Sequence, residues 1–436
     1  MAAAVTELNI HAPTPDMGTR ARLTNIVRKG SLAITDQTLF SGANFVVSIL
    51  LARWLSPADY GAYSLAFAVF LLFAALHAAI LTEPMMVFGA GKYAASFPPY
   101  LRILLGGHLG LMAPLTALLL GASFILSPQV GRAFRGLLLA SAAILLFWLV
   151  RRVFYVLLQP HWGVVSGALY CILLLGGIGA VKYAGRLSTL TAFVAMGAAG
   201  LIASAIMLVR FIPHWRSETG RPRLREVAAD HWRYGRWAMA TAVIGWFPGH
   251  VYYALLPAYL GLEGAGGLRA LMNFVMPVLQ AISALTMLLL PMLVRDRDSG
   301  GPRKMNRTML LFLGLFCAGA VVYLTALWIF RDYVFQIFYA GKYSQYAGWP
   351  LFLTGLLPLG TCASAVLGDG LRALEKPDAI FWCYAGSVIG AVAVGIPLSA
   401  TMGVSGALLG LIASSAITIV LMAFHYRKSL REAARS

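Results

Sequence analysis

SGANFVVSILLARWLSPADYGAYSLAFAV, residues 41–69, holds the pattern on which the fold turns. An apolar run closes on Leu51 and Leu55, a short acidic turn carries Asp59, and a second apolar run opens at Gly61. The same arrangement returns 205 residues later: Leu51, Leu55 and Gly61 recur as Leu256, Leu260 and Gly266, with Glu263 in the turn. A repeat in register with the ends of apolar runs predicts two similar halves, an architecture found in transporters.

Outward from this stretch, apolar runs of about 20 residues continue to both ends, the length that crosses a hydrocarbon core. Twelve spans are expected, near 31–53, 60–82, 103–125, 136–158, 163–183, 188–211, 236–258, 266–292, 308–330, 347–371, 378–399 and 402–425. Composition agrees: 60% of the 436 residues are hydrophobic and 11% are charged, too few charges to cover a soluble protein of this size.

The formal net charge of +18 is therefore read as membrane topology, not as nucleic-acid binding. With the N-terminus in the cytoplasm, 24 of the 34 Lys and Arg fall in cytoplasmic segments and eight in external ones; Arg151 and Arg152 lie within the fourth span. The positive-inside rule expects such a bias and places both termini inside. The predicted class is an all-α integral membrane protein of about twelve transmembrane helices in two six-helix lobes. Its expected segments are a basic cytoplasmic lead-in (1–30), an N-terminal lobe (31–211), a basic cytoplasmic linker (212–235), a C-terminal lobe (236–425) and a cytoplasmic tail (426–436). No cleavable signal is expected at the N-terminus.

Ionisable groups inside spans are the best pointers to function, because each is costly in lipid unless it faces protein or water. Arg151 and Arg152 point about 100° apart on a helix. They form an anion clamp suited to phosphate oxygens, or a pair snorkelling to the cytoplasmic boundary. Arg269, Asn273 and Gln280 share one face of the eighth span, and read as a wet lumen or as interhelical hydrogen bonding. Asp36 and Gln37 in span one, Glu83 ending span two, and Asp369 with Arg372 closing span ten fall at the cytoplasmic level. They are candidates for a gate or for coupling to a proton or sodium gradient, with local pairing as the alternative. His77, His108 and His250 also lie within spans and read as hydrogen-bonded core residues. The four cysteines sit in apolar runs and read as small hydrophobes. No His and carboxylate cluster has metal spacing, no phosphate-binding glycine loop is present, and no cofactor is expected.

The stretch 41–69, with its "LLAR-x-L-x-P-x-x-YG-x-Y" turn, resembles the opening of the polysaccharide transporters of the multidrug/oligosaccharidyl-lipid/polysaccharide exporter (MOP) superfamily. FYAGKYSQYA (338–347) and the turn from Gly403 to Ala407 are similar to further segments of that family. The resemblance implies a MATE-like 6 + 6 fold in the bacterial inner membrane. It implies a flippase, not an enzyme, that carries a polyprenyl-diphosphate-linked oligosaccharide, an O-antigen or exopolysaccharide repeat unit, from the inner to the outer leaflet by alternating access. Arg151 or Arg152 would receive the diphosphate and Arg269 would hold it near the outer end. Membrane lipid, glycosyltransferases and a polysaccharide polymerase are the partners it suggests. A MATE-type ion-coupled drug or metabolite antiporter is the second reading. A membrane-embedded ligase or polymerase is the third, disfavoured by the short outward-facing gaps.

Overall fold

The computed structural model describes residues 19–214 and 222–433, so most of the N-terminal lead-in, the middle of the linker and the last three residues lie outside the described residues. The described elements are helical. In chain order they are α1 (Thr19–Trp54), α2 (Pro57–His77), α3 (Glu83–Phe88), α4 (Phe97–Ile125), α5 (Pro128–Val156), α6 (Pro160–Tyr183), α7 (Thr189–Leu208), α8 (Leu224–His250), α9 (Tyr252–Leu260), α10 (Leu262–Ile329), α11 (Arg331–Tyr339), α12 (Trp349–Ala373), α13 (Pro377–Gly390), α14 (Ile396–Met402) and α15 (Val404–Ala433). The π-helical turns Ala78–Thr82 and Ala391–Gly395 join α2 to α3 and α13 to α14. Helices α2, α5, α6 and α13 open on proline, whose missing N–H costs nothing at a first helical position.

Eleven helices among the described residues are long and apolar enough to cross a membrane. The seventh expected span is not one of them. Helices α8 and α9 meet at Val251, which keeps helical dihedrals (φ −56°, ψ −33°), and the Trp, Tyr, Gly and Pro residues of this span dilute its hydropathy. Spans eight and nine, together labelled α10, are two helices that meet at a kink at Gly301 (φ 69°, ψ −170°). Two expected loops thus contain helix. The basic segment 295–307 lies within α10, and 331–346 contains α11.

By packing, the described residues form two compact units, one within 19–47 and 69–242, the other within 48–68 and 243–433. The boundaries between these units fall inside α1, α2 and α8. In unit 1, α5 lies along α7, where Gly136, Gly197 and Gly200 meet the backbone of Leu190, Ala140 and Ala143, the small-residue contact of membrane helices. Its core includes Met85, Tyr93, Phe97, Tyr100, Val150 and Phe154. In unit 2, α10, α12 and α15 enclose Leu293, Met309, Phe316, Cys362, Val366 and Met422.

The sequence repeat has a direct structural counterpart in unit 2. A Cβ on Gly61 would lie 1.7 Å from the carbonyl oxygen of Leu262, and one on Gly266 would lie 2.7 Å from that of Pro57. The two repeat glycines are therefore where the two copies of the turn pack on each other, and neither position has room for a side chain. The segment 338–347 docks on the same turn. Lys342 Nζ donates to the carbonyls of Arg53 (2.6 Å) and Leu55 (2.7 Å) at the end of α1, where a helix leaves its last carbonyls unpaired and a cation is favourable. Arg53 returns hydrogen bonds to the carbonyls of Gln336 and Ile337.

Candidate functional site

In unit 1 the adjacent arginines of α5 have different fates. Arg151 is 6% exposed and Asp36 of α1 is 0% exposed. Arg151 Nε lies 2.8 Å from both carboxylate oxygens of Asp36, and an Nη donates to Gln37 Oε1 at 2.9 Å. The guanidinium sits 4.6 Å over the Phe40 ring. Tyr155 donates its hydroxyl to Asp36. Helix α6 closes over the carboxylate: a Cβ on Gly167 would fall 2.6 Å from Asp36 Oδ1. Arg151 is committed to holding α1 on α5.

Arg152, one residue on, is exposed. It takes part in no hydrogen bond or ion pair among the described residues, and its nearest charges are Arg151, Asp36 and Glu83. Glu83, opening α3, is likewise exposed. The 100° between neighbouring helical side chains has turned one arginine into the helix interface and the other out of it. The sequence left open which was which.

In unit 2 the polar face of α10 also divides. Asn273 is 2% exposed and fully used. It accepts from Ser48 at 2.9 Å and donates to Tyr60 at 3.1 Å and Tyr339 at 3.4 Å. It ties α1, α2, α10 and α11 together, so of the two sequence readings it takes the interhelical one. Arg269 lies 4.7 Å over the Phe67 ring, with the hydroxyl of Tyr253 as hydrogen-bond partner and Tyr60 and Tyr63 nearby. Its Nε is buried without a hydrogen-bond partner, and among the described residues it pairs with no carboxylate. Gln280 is exposed and does not join this cluster. On α12, Asp369 accepts from Arg372 at 2.8 Å through Oδ1, while its Oδ2 is buried without a partner.

Sequence reasoning missed a cluster at the start of α8. Lys92 Nζ bridges Glu226 and Asp230, each at 2.7 Å, and Tyr93 donates to Asp230 at 2.7 Å. The Lys92 ammonium and then the Tyr93 hydroxyl hold the Asp230 carboxyl below its usual range; Asp230 and Glu226 hold Lys92 above its own. Next to them, His231 contacts Tyr100 Oη at 2.6 Å and the carbonyl of Ile80 at 2.7 Å. The spacing of Glu226 and Asp230, four residues apart, put both on one helix face, but their partner is 138 residues away.

No family model matches the sequence, and no curated protein matches it. Solved structures do match over nearly the whole chain. A multidrug-resistance MATE family transporter of the MOP superfamily, in its inward-facing conformation, is 14% identical with a TM-score of 0.71, covering 92% of this chain and 96% of its own. The lipid II flippase MurJ, in an inward closed conformation, is 12% identical with a TM-score of 0.72, covering 94% and 89%. A MOP superfamily transporter from Pyrococcus furiosus, described by a binding pocket of reversed polarity, is 14% identical with a TM-score of 0.65, covering 94% and 96%. The fold is that of MOP superfamily transporters, and eleven helices among the described residues are long and apolar enough to cross a membrane.

Proposed function

We propose that this chain is a flippase that carries a polyprenyl-diphosphate-linked oligosaccharide across the bacterial inner membrane by alternating access. The observation that carries the reading is the pattern of unpaired charge. Asp36 is neutralised by Arg151 and Asp369 is held by Arg372, while Arg152 and Arg269 have no carboxylate partner among the described residues. These two arginines are the cations left for a substrate, with Glu83 the exposed carboxylate near Arg152. A guanidinium offers the planar fork that phosphate oxygens accept. Arg152 receives the diphosphate on the cytoplasmic side and Arg269 holds it near the outer end; the lipid tail stays in the bilayer. A fold shared with a lipid II flippase supports a lipid-linked cargo, although fold alone does not choose a substrate. The sugar is an O-antigen or exopolysaccharide repeat unit, received from glycosyltransferases and passed to a polymerase.

A MATE-type antiporter of drugs or metabolites is the second reading. It rests on the MATE neighbour and on the unpartnered Oδ2 of Asp369, which suits a cation. The two readings separate in proteoliposomes loaded with a fluorescent polyprenyl-diphosphate oligosaccharide. The loss of one charge-assisted contact, about 1.5–3 kcal/mol, slows flipping about 10- to 100-fold in Arg152→Ala and in Arg269→Ala. Wild-type rates in both variants at wild-type protein levels sink the flippase reading; drug efflux abolished by Asp369→Asn favours the second.

A further inference from the structure

Away from the arginines, unit 1 buries a second pair of ionisable groups. His77, the last residue of α2, and His108, in α4, are 1% and 2% exposed. His77 Nε2 and His108 Nδ1 are 3.0 Å apart, with the rings at 84°. His108 also hydrogen-bonds the backbone of Ala142 in α5. Because its Nδ1 faces His77, that second bond uses Nε2–H. The tautomers follow: His108 Nδ1 carries the lone pair, His77 Nε2–H donates to it, and His77 Nδ1 is the unprotonated nitrogen of the pair.

The surrounding elements bring no counter-charge. The ionisable groups on the packed helices are Glu83 beyond the π-helical turn, Arg102 on α4, Arg132, Arg135, Arg151 and Arg152 on α5, and Asp230, His231, Arg233 and Arg236 on α8, whose Gly235 meets Ala79 and Ile80. Neither imidazole has a charged partner among them. Both host helices are also at their weakest here. The π-helical turn Ala78–Thr82 starts at the residue after His77, and such turns often mark functional irregularities. Helix α4 carries Gly106, Gly107 and Gly110 around His108 and Pro114 a turn later, the residue types least favourable to a helix interior.

We propose that the His77–His108 pair is a proton-binding site that couples protonation to bending of α2 and α4. Its use in transport rests on the reading above; its chemistry does not. One proton is taken up at His77 Nδ1. The N–H bond at His77 Nε2 breaks as that proton passes to His108 Nδ1. The products are a neutral His77 carrying Nδ1–H and a His108 imidazolium whose Nδ1–H donates back to His77 Nε2. His108 Nε2–H stays on the Ala142 carbonyl, so the pair stores one proton and does not conduct it. The new charge has no carboxylate beside it, and it favours a conformation in which the bent helices admit water to the rings.

The test needs no substrate. Full-length protein in lipid nanodiscs is followed by backbone hydrogen exchange over 74–88 and 104–114 at about pH 5 and about pH 8, corrected for intrinsic rates. The wild type exchanges about tenfold faster in acid. The double variant His77→Gln, His108→Asn, which keeps amides at the bonded positions but cannot titrate, loses the difference. Equal protection of the wild type at both pH values, or an undiminished acid response in the double variant, overturns the proposal. If that variant does not fold, NMR of isotope-labelled histidine in the wild type decides: the pair must bind one proton across the transition, and none bound overturns it. An acid response without any flipping of the lipid-linked substrate removes the flippase reading and leaves the proton site standing.

Discussion

Arg151 and Arg152 differ by one residue, and the structure makes their substitutions opposite in kind. Arg151→Ala leaves the Asp36 carboxylate, 0% exposed, with Tyr155 as its remaining donor. Two guanidinium N–H groups are lost, one shared between the Asp36 oxygens and one on Gln37. At about 1.5–3 kcal/mol for each charged hydrogen bond, that is about 3–6 kcal/mol. Measured costs of stripping one partner from a buried pair, about 3–5 kcal/mol, agree. Asp36→Asn in the Arg151→Ala background removes the stranded charge and recovers stability, so the double-mutant cycle shows a coupling of about 3 kcal/mol. Arg152→Ala removes an exposed side chain with no partner and shifts stability by about 0.5 kcal/mol or less, yet it slows flipping about 10- to 100-fold. The measurement is equilibrium unfolding in mixed micelles beside the flipping assay, on the same preparations. Equal destabilisation by Arg151→Ala and Arg152→Ala, or additive behaviour of Asp36→Asn and Arg151→Ala, refutes the division of labour.

Three further outcomes are expected. Gly61→Ala and Gly266→Ala place a methyl against backbone oxygens and each costs at least about 1–3 kcal/mol; Gly121→Ala, with open space around it, serves as the neutral control, and the monodisperse fraction on size exclusion reads the difference. Lys342→Ala unties the end of α1 from the 338–347 segment, losing two charged hydrogen bonds and accelerating exchange of the amides that follow Ala340, with Lys342→Arg recovering part. The cluster on Lys92 has a defined pH window. Asp230 titrates below its usual value in the folded chain, so its contribution is present above the ordinary carboxylate value of about 4 and is lost as pH falls through the lower one. Lys92 titrates above its usual value, so its contribution is present below about 10 and is lost only as pH rises past that. Limited proteolysis at the start of α8 should therefore be flat between those limits and rise in acid, and Asp230→Asn should abolish the acid rise.

Much of the fold was legible in the sequence because a bilayer imposes a one-dimensional rule. Twelve apolar runs, their orientation by Lys and Arg, and the repeat at 205 residues all followed from local composition, since lipid thickness sets helix length and backbone groups in lipid must be paired within the segment. The same rule failed where apolarity stops being the deciding quantity. Residues 295–307 are charged yet helical on both sides of the kink at Gly301, and 236–258 is not among the helices long and apolar enough to cross a membrane. The candidate arginines were legible for the same reason, as charges out of place in lipid. Their roles were not. Whether Arg151 or Arg152 meets Asp36 depends on how α1 and α6 close on α5, and Gly167, 131 residues beyond Asp36, decides that by leaving room for the carboxylate. Asn273 read equally as part of a wet face or as an interhelical hydrogen bonder, and Ser48, Tyr60 and Tyr339, from three other helices, use both ends of its amide. His77 and His108 read as separate core residues, because the 31 positions between them carry no signal that their rings meet. Sequence by itself determined the solvent each segment needs, because that is a property of its own side chains; which polar groups are spent on each other and which are left for a substrate is a property of pairs, and only the tertiary structure forms the pairs.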